Sequence, residues 1–143
     1  MTDAAGVKPL ILFVDDERLP NIFYVNALED SGYEVCFVPS ISDAFAFVRS
    51  NKDRVRLAII DLMMPSLDIP SAETEHGMLT GLYFYEWLKD YCPTAKVMFL
   101  SNNSEPRFLE QLPKEIPCYA KTSMSPQDLL ECINEEFGFG GVD

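Results

Sequence analysis

Five short apolar runs alternate along the chain with segments whose apolar residues recur at helical spacing. Leu10–Val14 is continuously apolar, as expected for a strand buried on both faces. Residues 19–30 read as a helix, with Ile22, Val25 and Leu28 on one face and Gly32 as its stop signal. Glu34–Val38 is the second strand, and residues 40–50 the second helix, with Ile41, Ala44, Phe45 and Val48 at helical spacing. Residues 57–60 form the third strand. Thr80–Tyr91 is the third helix, and its aromatic stripe of Phe84, Trp87, Leu88 and Tyr91 reads as core packing. Residues 96–100 make the fourth strand and residues 105–112 a short, weak helix, with Pro113 and Pro117 bracketing the next segment. Cys118–Ala120 is a short fifth strand. Ser125 and Pro126 start the last helix as N-cap and first helical residue, and Leu129, Leu130, Ile133 and Phe137 give it a buried face.

Regular alternation of strand and helix implies an α/β fold: a doubly wound parallel sheet of five strands, reached by right-handed crossovers, with about five helices covering both faces. The common strand order for five strands, 2-1-3-4-5, sets the first and third strands side by side, and ligands bind beyond the carboxyl ends of such strands. A chain of 143 residues fits one domain, 1–143, with its core over about 8–137.

Composition narrows the function classes. The apolar fraction of 48% with 24% charged residues is ordinary for a globular protein. A net charge of −12 argues against nucleic acid and against an anionic membrane surface as partners. No apolar run reaches bilayer length, and the start, MTDAAGVK, lacks the pattern of a secretory signal. Cys36, Cys92, Cys118 and Cys132 are widely spaced with no ligand-like pairing, so free thiols are expected, with Cys36 and Cys118 as small core residues. A cytoplasmic protein is the expectation.

The chemistry lies where the apolar runs end. Asp15 and Asp16 end the first, Asp61 the third, Ser101 the fourth and Lys121 the fifth. One sheet edge would then collect three carboxylates, a hydroxyl and an ammonium. Three adjacent carboxylates repel one another, and a divalent cation is the simplest compensation. All-oxygen ligation favours magnesium, manganese or calcium over zinc, and magnesium's habit of using few carboxylates fits best. Phosphoryl transfer needs its developing charge neutralised, which the metal, Lys121 and Ser101 can do together. Asp61, between the acidic pair and the Ser and Lys side, is placed to be a nucleophile that forms an aspartyl phosphate.

On ILFVDDE, AIIDLMMP, VMFLSNN and YAKT, in that order with helices between, the chain resembles the receiver domain of two-component response regulators. The resemblance implies the chemotaxis-regulator-like, flavodoxin-like fold. It implies Asp61 as phosphoacceptor, Asp16 as a direct magnesium ligand, Asp15 acting mainly through water, and the Met63 backbone carbonyl completing the ligands. Ser101 would be the hydroxyl switch and Lys121 the partner of the phosphate. The implied donor is a histidine kinase or histidine phosphotransfer protein, and the output is a changed contact with a downstream protein. The chain would then be no enzyme in the usual sense: it would catalyse transfer to its own aspartate and slow autodephosphorylation.

Four places depart from that pattern. The stretch over 65–80 is longer than usual and holds His76, read as a surface residue in a solvated or partner-docking loop. Thr122 follows Lys121 where proline is usual, Cys118 stands where an aromatic switch residue is usual, and Asn102 replaces a small residue beside Ser101. Tyr119 should point to the opposite face from Cys118. The leading reading is a stand-alone receiver, with an excised domain of a larger protein as the other possibility. The alternatives are a receiver-like interaction module independent of phosphate and a magnesium-dependent phosphohydrolase. The latter usually needs a carboxylate two residues after its nucleophile, where this chain has Met63.

Overall fold

The computed structural model describes residues 8–64, 79–102 and 106–137. The side chains of Arg107, Phe108, Glu136 and Phe137 lie outside this description, as do His76 and the stretch 65–78. Five parallel strands form one sheet in the order β2-β1-β3-β4-β5: β1 Leu10–Val14, β2 Glu34–Val38, β3 Val55–Ile60, β4 Lys96–Ser101 and β5 Cys118–Ala120. The strand order is as the alternation implies. Four helices of eleven to thirteen residues flank it: α1 Arg18–Asp30, α2 Ile41–Asn51, α3 Thr80–Tyr91 and α5 Pro126–Phe137. The expected weak helix is reduced to a single turn, α4 Pro106–Leu109. So short a helix gains too few internal hydrogen bonds to propagate, and Pro113 prevents extension.

The central strands are dry because both faces are covered. β1 is buried throughout, and β3 nearly so. One core layer joins Leu12, Val14, Ala58, Ile60 and Phe99 to α2 and α3 through Ala44, Val48, Phe84 and Leu88. The other joins Ile11, Phe13, Leu57, Ile59 and Leu100 to α1 and α5 through Tyr24, Leu28, Leu129 and Ile133. Alternate residues of each strand serve opposite layers, as the pleat requires.

Local signals explain the element ends. The Ser40 hydroxyl accepts from the Asp43 N–H at 3.1 Å and caps α2. Ser125 and Asp128 cap α5 reciprocally, each side chain accepting the other's backbone N–H, at 3.1 and 3.2 Å. Gly32 takes φ 100°, and the N–H groups of Gly32 and Tyr33 close back on Glu29 and Leu28 to end α1.

Two expectations about side-chain direction need correcting. The buried face of α1 is Asn21, Tyr24 and Leu28, whereas Ile22 is 41% exposed beside Leu19 and Phe23. Tyr24 turns inward because its ring fills the core and its hydroxyl reaches backbone acceptors beyond the helix. Cys118 is exposed rather than a core residue, because β5 is a three-residue edge strand with a neighbour on one side alone. Cys36, on the opposite edge, is half-buried. Tyr119 packs into the α1–α5 layer, on the face opposite Cys118.

Candidate phosphoryl-acceptor site

The site forms where β1, β3, β4 and β5 release the chain at the same end of the sheet. Ladder hydrogen bonds continue one step past the strands. The Asp15 N–H donates to Val38 at 3.1 Å and the Asp61 N–H donates to Val14 at 2.9 Å, which fixes both aspartates side by side. Asp15 is 0%, Asp61 5% and Ser101 1% exposed, while Asp16 faces solvent. Carboxylate oxygens of Asp15, Asp16 and Asp61 lie within 4.8 Å of one another. The structure thus brings together every site side chain expected from the sequence.

Hydrogen bonds orient the two buried carboxylates. Asp15 Oδ1 accepts from the Glu17 N–H at 2.9 Å, and Asp61 Oδ1 accepts from the Met63 N–H at 3.1 Å. Lys121 opens a short 3₁₀ turn, Lys121–Ser123, directly after β5. Its ammonium donates to Asp15 Oδ2 and lies 3.5 Å from Asp61 Oδ2. The Ser101 side chain hydrogen-bonds Asp61. Asp61 therefore sits among the other four, beside the acidic pair and Ser101, with the Lys121 ammonium bridging from Asp15 towards its Oδ2.

Electrostatics show a site short of positive charge. Burial, and then the Asp15 charge, push Asp61 up to about 6, against the opposing pull of Lys121, the Met63 N–H and Ser101. Burial alone would lower Lys121, but its hydrogen bond to Asp15 and the charges of Asp61 and Asp15 outweigh it and raise the ammonium's pKa. One lysine does not offset three clustered carboxylates. A hard divalent cation fits this all-oxygen donor set and would relieve the repulsion that raises Asp61.

Sequence reasoning missed the device that clamps the loop after Asp61. At the start of α3, the Thr80 hydroxyl donates to Met64 O at 2.6 Å and the Gly81 N–H donates to Leu62 O at 3.0 Å. A Cβ on Gly81 would lie 2.2 Å from the Asp61 carbonyl oxygen, so only glycine permits this approach. The signal was a Thr-Gly pair opening a helix, because glycine inside a helical pattern often marks close backbone contact.

A family model described as "Response regulator receiver domain" matches residues 11–133. The chain belongs to the response regulator receiver family. This receiver superposes on a response regulator from Thermotoga maritima with a TM-score of 0.70 at 22% identity, over 92% of this chain and 99% of that one. A receiver domain protein from Clostridium thermocellum gives 0.71 at 23% identity, over 90% and 94%. The chemotaxis protein CheY4 of Vibrio cholerae gives 0.70 at 19%, over 90% and 98%. At these identities the structural likeness bears on the fold alone. No curated protein matches this receiver in sequence. Among its described residues no helix is long and apolar enough to cross a membrane.

Of the four departures from the family pattern, three fall on described residues. Asn102 is exposed next to buried Ser101, Thr122 is exposed in the turn after Lys121, and Cys118 leaves the switch position without an aromatic ring. No cis peptide bond occurs among the described residues. The long loop with His76 lies outside them.

Proposed function

We propose that this receiver accepts a phosphoryl group on Asp61 and signals through changed protein contacts. The observation that carries the reading is the placement of Asp61: a buried carboxylate at the centre of the strand ends, hydrogen-bonded to Ser101 and 3.5 Å from the Lys121 ammonium. The donor is a phosphohistidine on a kinase or phosphotransfer protein. The histidine N–P bond breaks as a bond from Asp61 Oδ to phosphorus forms, and the electron pair returns to the imidazole.

The chain's own groups prepare this step. A ladder hydrogen bond fixes the Asp61 backbone and the Met63 N–H ties Oδ1, while Oδ2 faces the Lys121 ammonium at 3.5 Å. Lys121 and Ser101 bring a positive charge and a hydroxyl donor beside the phosphoryl oxygens. Asp15, Asp16, Asp61 and the backbone carbonyl of Met63 would hold magnesium, which when bound supplies the remaining neutralisation of phosphoryl charge. Loss of the Lys121–Asp61 and Ser101–Asp61 contacts in favour of the phosphoryl group would change the loops after β4 and β5. That bias shifts a two-state equilibrium read by a target protein.

A second reading, an interaction module that no longer uses phosphate, is favoured by the absence of an aromatic ring at position 118. A phosphohydrolase is disfavoured by Met63 at the position of the needed carboxylate, so turnover of a separate substrate is not proposed. Following intact mass with acetyl phosphate separates the three. Uptake of one phosphoryl group that requires magnesium and stops in EDTA is expected. No uptake from acetyl phosphate or a phosphorylated kinase would support the module. Steady phosphate release from many esters would support the hydrolase.

A further inference from the structure

Lys121 has one long, flexible side chain and a weakly anchored backbone. The strand that delivers it, β5, is three residues long and lies at the sheet edge. The turn after it is a single 3₁₀ turn in which Thr122 and Ser123 are exposed. Within the turn, the Met124 N–H donates to Lys121 O at 3.3 Å. Among the described residues, Met124 also packs into the α1–α5 core layer, and a hydrogen-bonding tie comes from 97 and 100 residues away in sequence: the Tyr24 hydroxyl, on α1, donates to Met124 O and lies 3.4 Å from Lys121 O.

Tyr24 is itself well fixed. It is buried, sits in the middle of α1, and packs its ring on Phe13 at 6.4 Å between centroids. Phe13 lies two residues before Asp15, the carboxylate that takes the Lys121 ammonium. One tyrosine therefore links the strand holding the acceptor of Lys121 to the turn holding its backbone. Burial raises the Tyr24 pKa, ahead of a lowering influence from Lys121, so the hydroxyl remains a donor throughout the neutral range.

We propose that the Tyr24 hydroxyl is a positioning group that holds the Lys121 turn so that the ammonium reaches Asp15 and Asp61. Its consequence for phosphoryl uptake rests on the proposed function of Asp61, but the placement of the ammonium is measurable without it. Tyr24→Phe keeps the ring and removes the hydroxyl. Lysine acetylation by a small anhydride, followed by peptide mass spectrometry on the whole chain, reads the accessibility of each amine. The other five lysines, Lys8, Lys52, Lys89, Lys96 and Lys114, are exposed and serve as internal references.

In Tyr24→Phe the Lys121 rate is expected to rise about fivefold against those references, the factor equivalent to one hydrogen bond of about 1 kcal/mol. Magnesium-dependent phosphoryl uptake should fall by about the same factor. A merely structural role is separated by Lys121→Gln. Tyr24→Phe should lower the thermal midpoint equally with either residue at 121, yet change the uptake rate only when Lys121 is present. An unchanged Lys121 acetylation rate in Tyr24→Phe would overturn the proposal, as would an equal further loss of uptake in the Lys121→Gln background. If the wild type takes up no phosphoryl group, the reading of Asp61 fails and the acetylation rates alone decide the role of Tyr24.

Discussion

Gly81→Ala is expected to destabilise the fold by about 3 kcal/mol, the upper part of the range for forcing an atom into a packed interior. The added methyl would lie 2.2 Å from the carbonyl oxygen and 2.9 Å from the carbonyl carbon of Asp61, and 2.9 Å from Ile60 Cγ2. The two Asp61 atoms are backbone at the end of a central strand, where no side-chain rotation relieves the clash. Either the start of α3 lifts off the sheet or Asp61 moves. The first breaks the Gly81 to Leu62 hydrogen bond, and the second displaces the proposed acceptor. Thermal unfolding should show a midpoint lowered by about 10 °C. A midpoint within about 2 °C of the wild type would show that the approach of α3 to Asp61 is looser than described.

Asp61→Asn should do the opposite at neutral pH: without divalent cation it should stabilise the fold. The folded-state pKa of Asp61 is raised from 3.8 to about 6, chiefly by burial and by the Asp15 charge. Between those values the folded protein holds a proton that the unfolded chain has lost, so wild-type stability falls as pH rises. The favourable contribution is complete below about pH 4 and gone above about pH 6 to 7. Asparagine carries no charge and does not suffer this loss. Its advantage should approach about 3 kcal/mol at pH 8 and vanish near pH 4. Denaturant unfolding in EDTA across that range measures it. Magnesium should stabilise the wild type at pH 8 and leave Asp61→Asn nearly unaffected, because a ligand stabilises only the state that binds it. Equal stabilities of the two proteins at pH 8 in EDTA would mean that the carboxylate cluster is not under the strain described.

The strand order and the clustering of the five candidate side chains were legible because both follow from simple patterns. Dry central strands must be continuous in apolar residues, so Leu10–Val14 and its counterparts stand out, and a polar residue that ends such a run marks the sheet edge. The inward turn of Tyr24 was not legible, because helical spacing ranks Ile22 as the better core residue. Only the tertiary structure supplies the backbone acceptors that favour the tyrosine. The exposure of Cys118 depends on β5 being an edge strand, and apolar content does not encode edges. Gly81 was overlooked for a similar reason: glycine shows where a side chain is forbidden, while the atom that forbids it is the Asp61 carbonyl, twenty residues earlier in the chain.

The function of Asp61 is tested most directly by intact mass, comparing wild type with Asp61→Asn after incubation with magnesium and acetyl phosphate. The wild type should gain one phosphoryl group, lost on treatment with hydroxylamine as an acyl phosphate requires, and Asp61→Asn should gain none. An equal adduct on Asp61→Asn, or an adduct on the wild type that resists hydroxylamine, would contradict Asp61 as the acceptor.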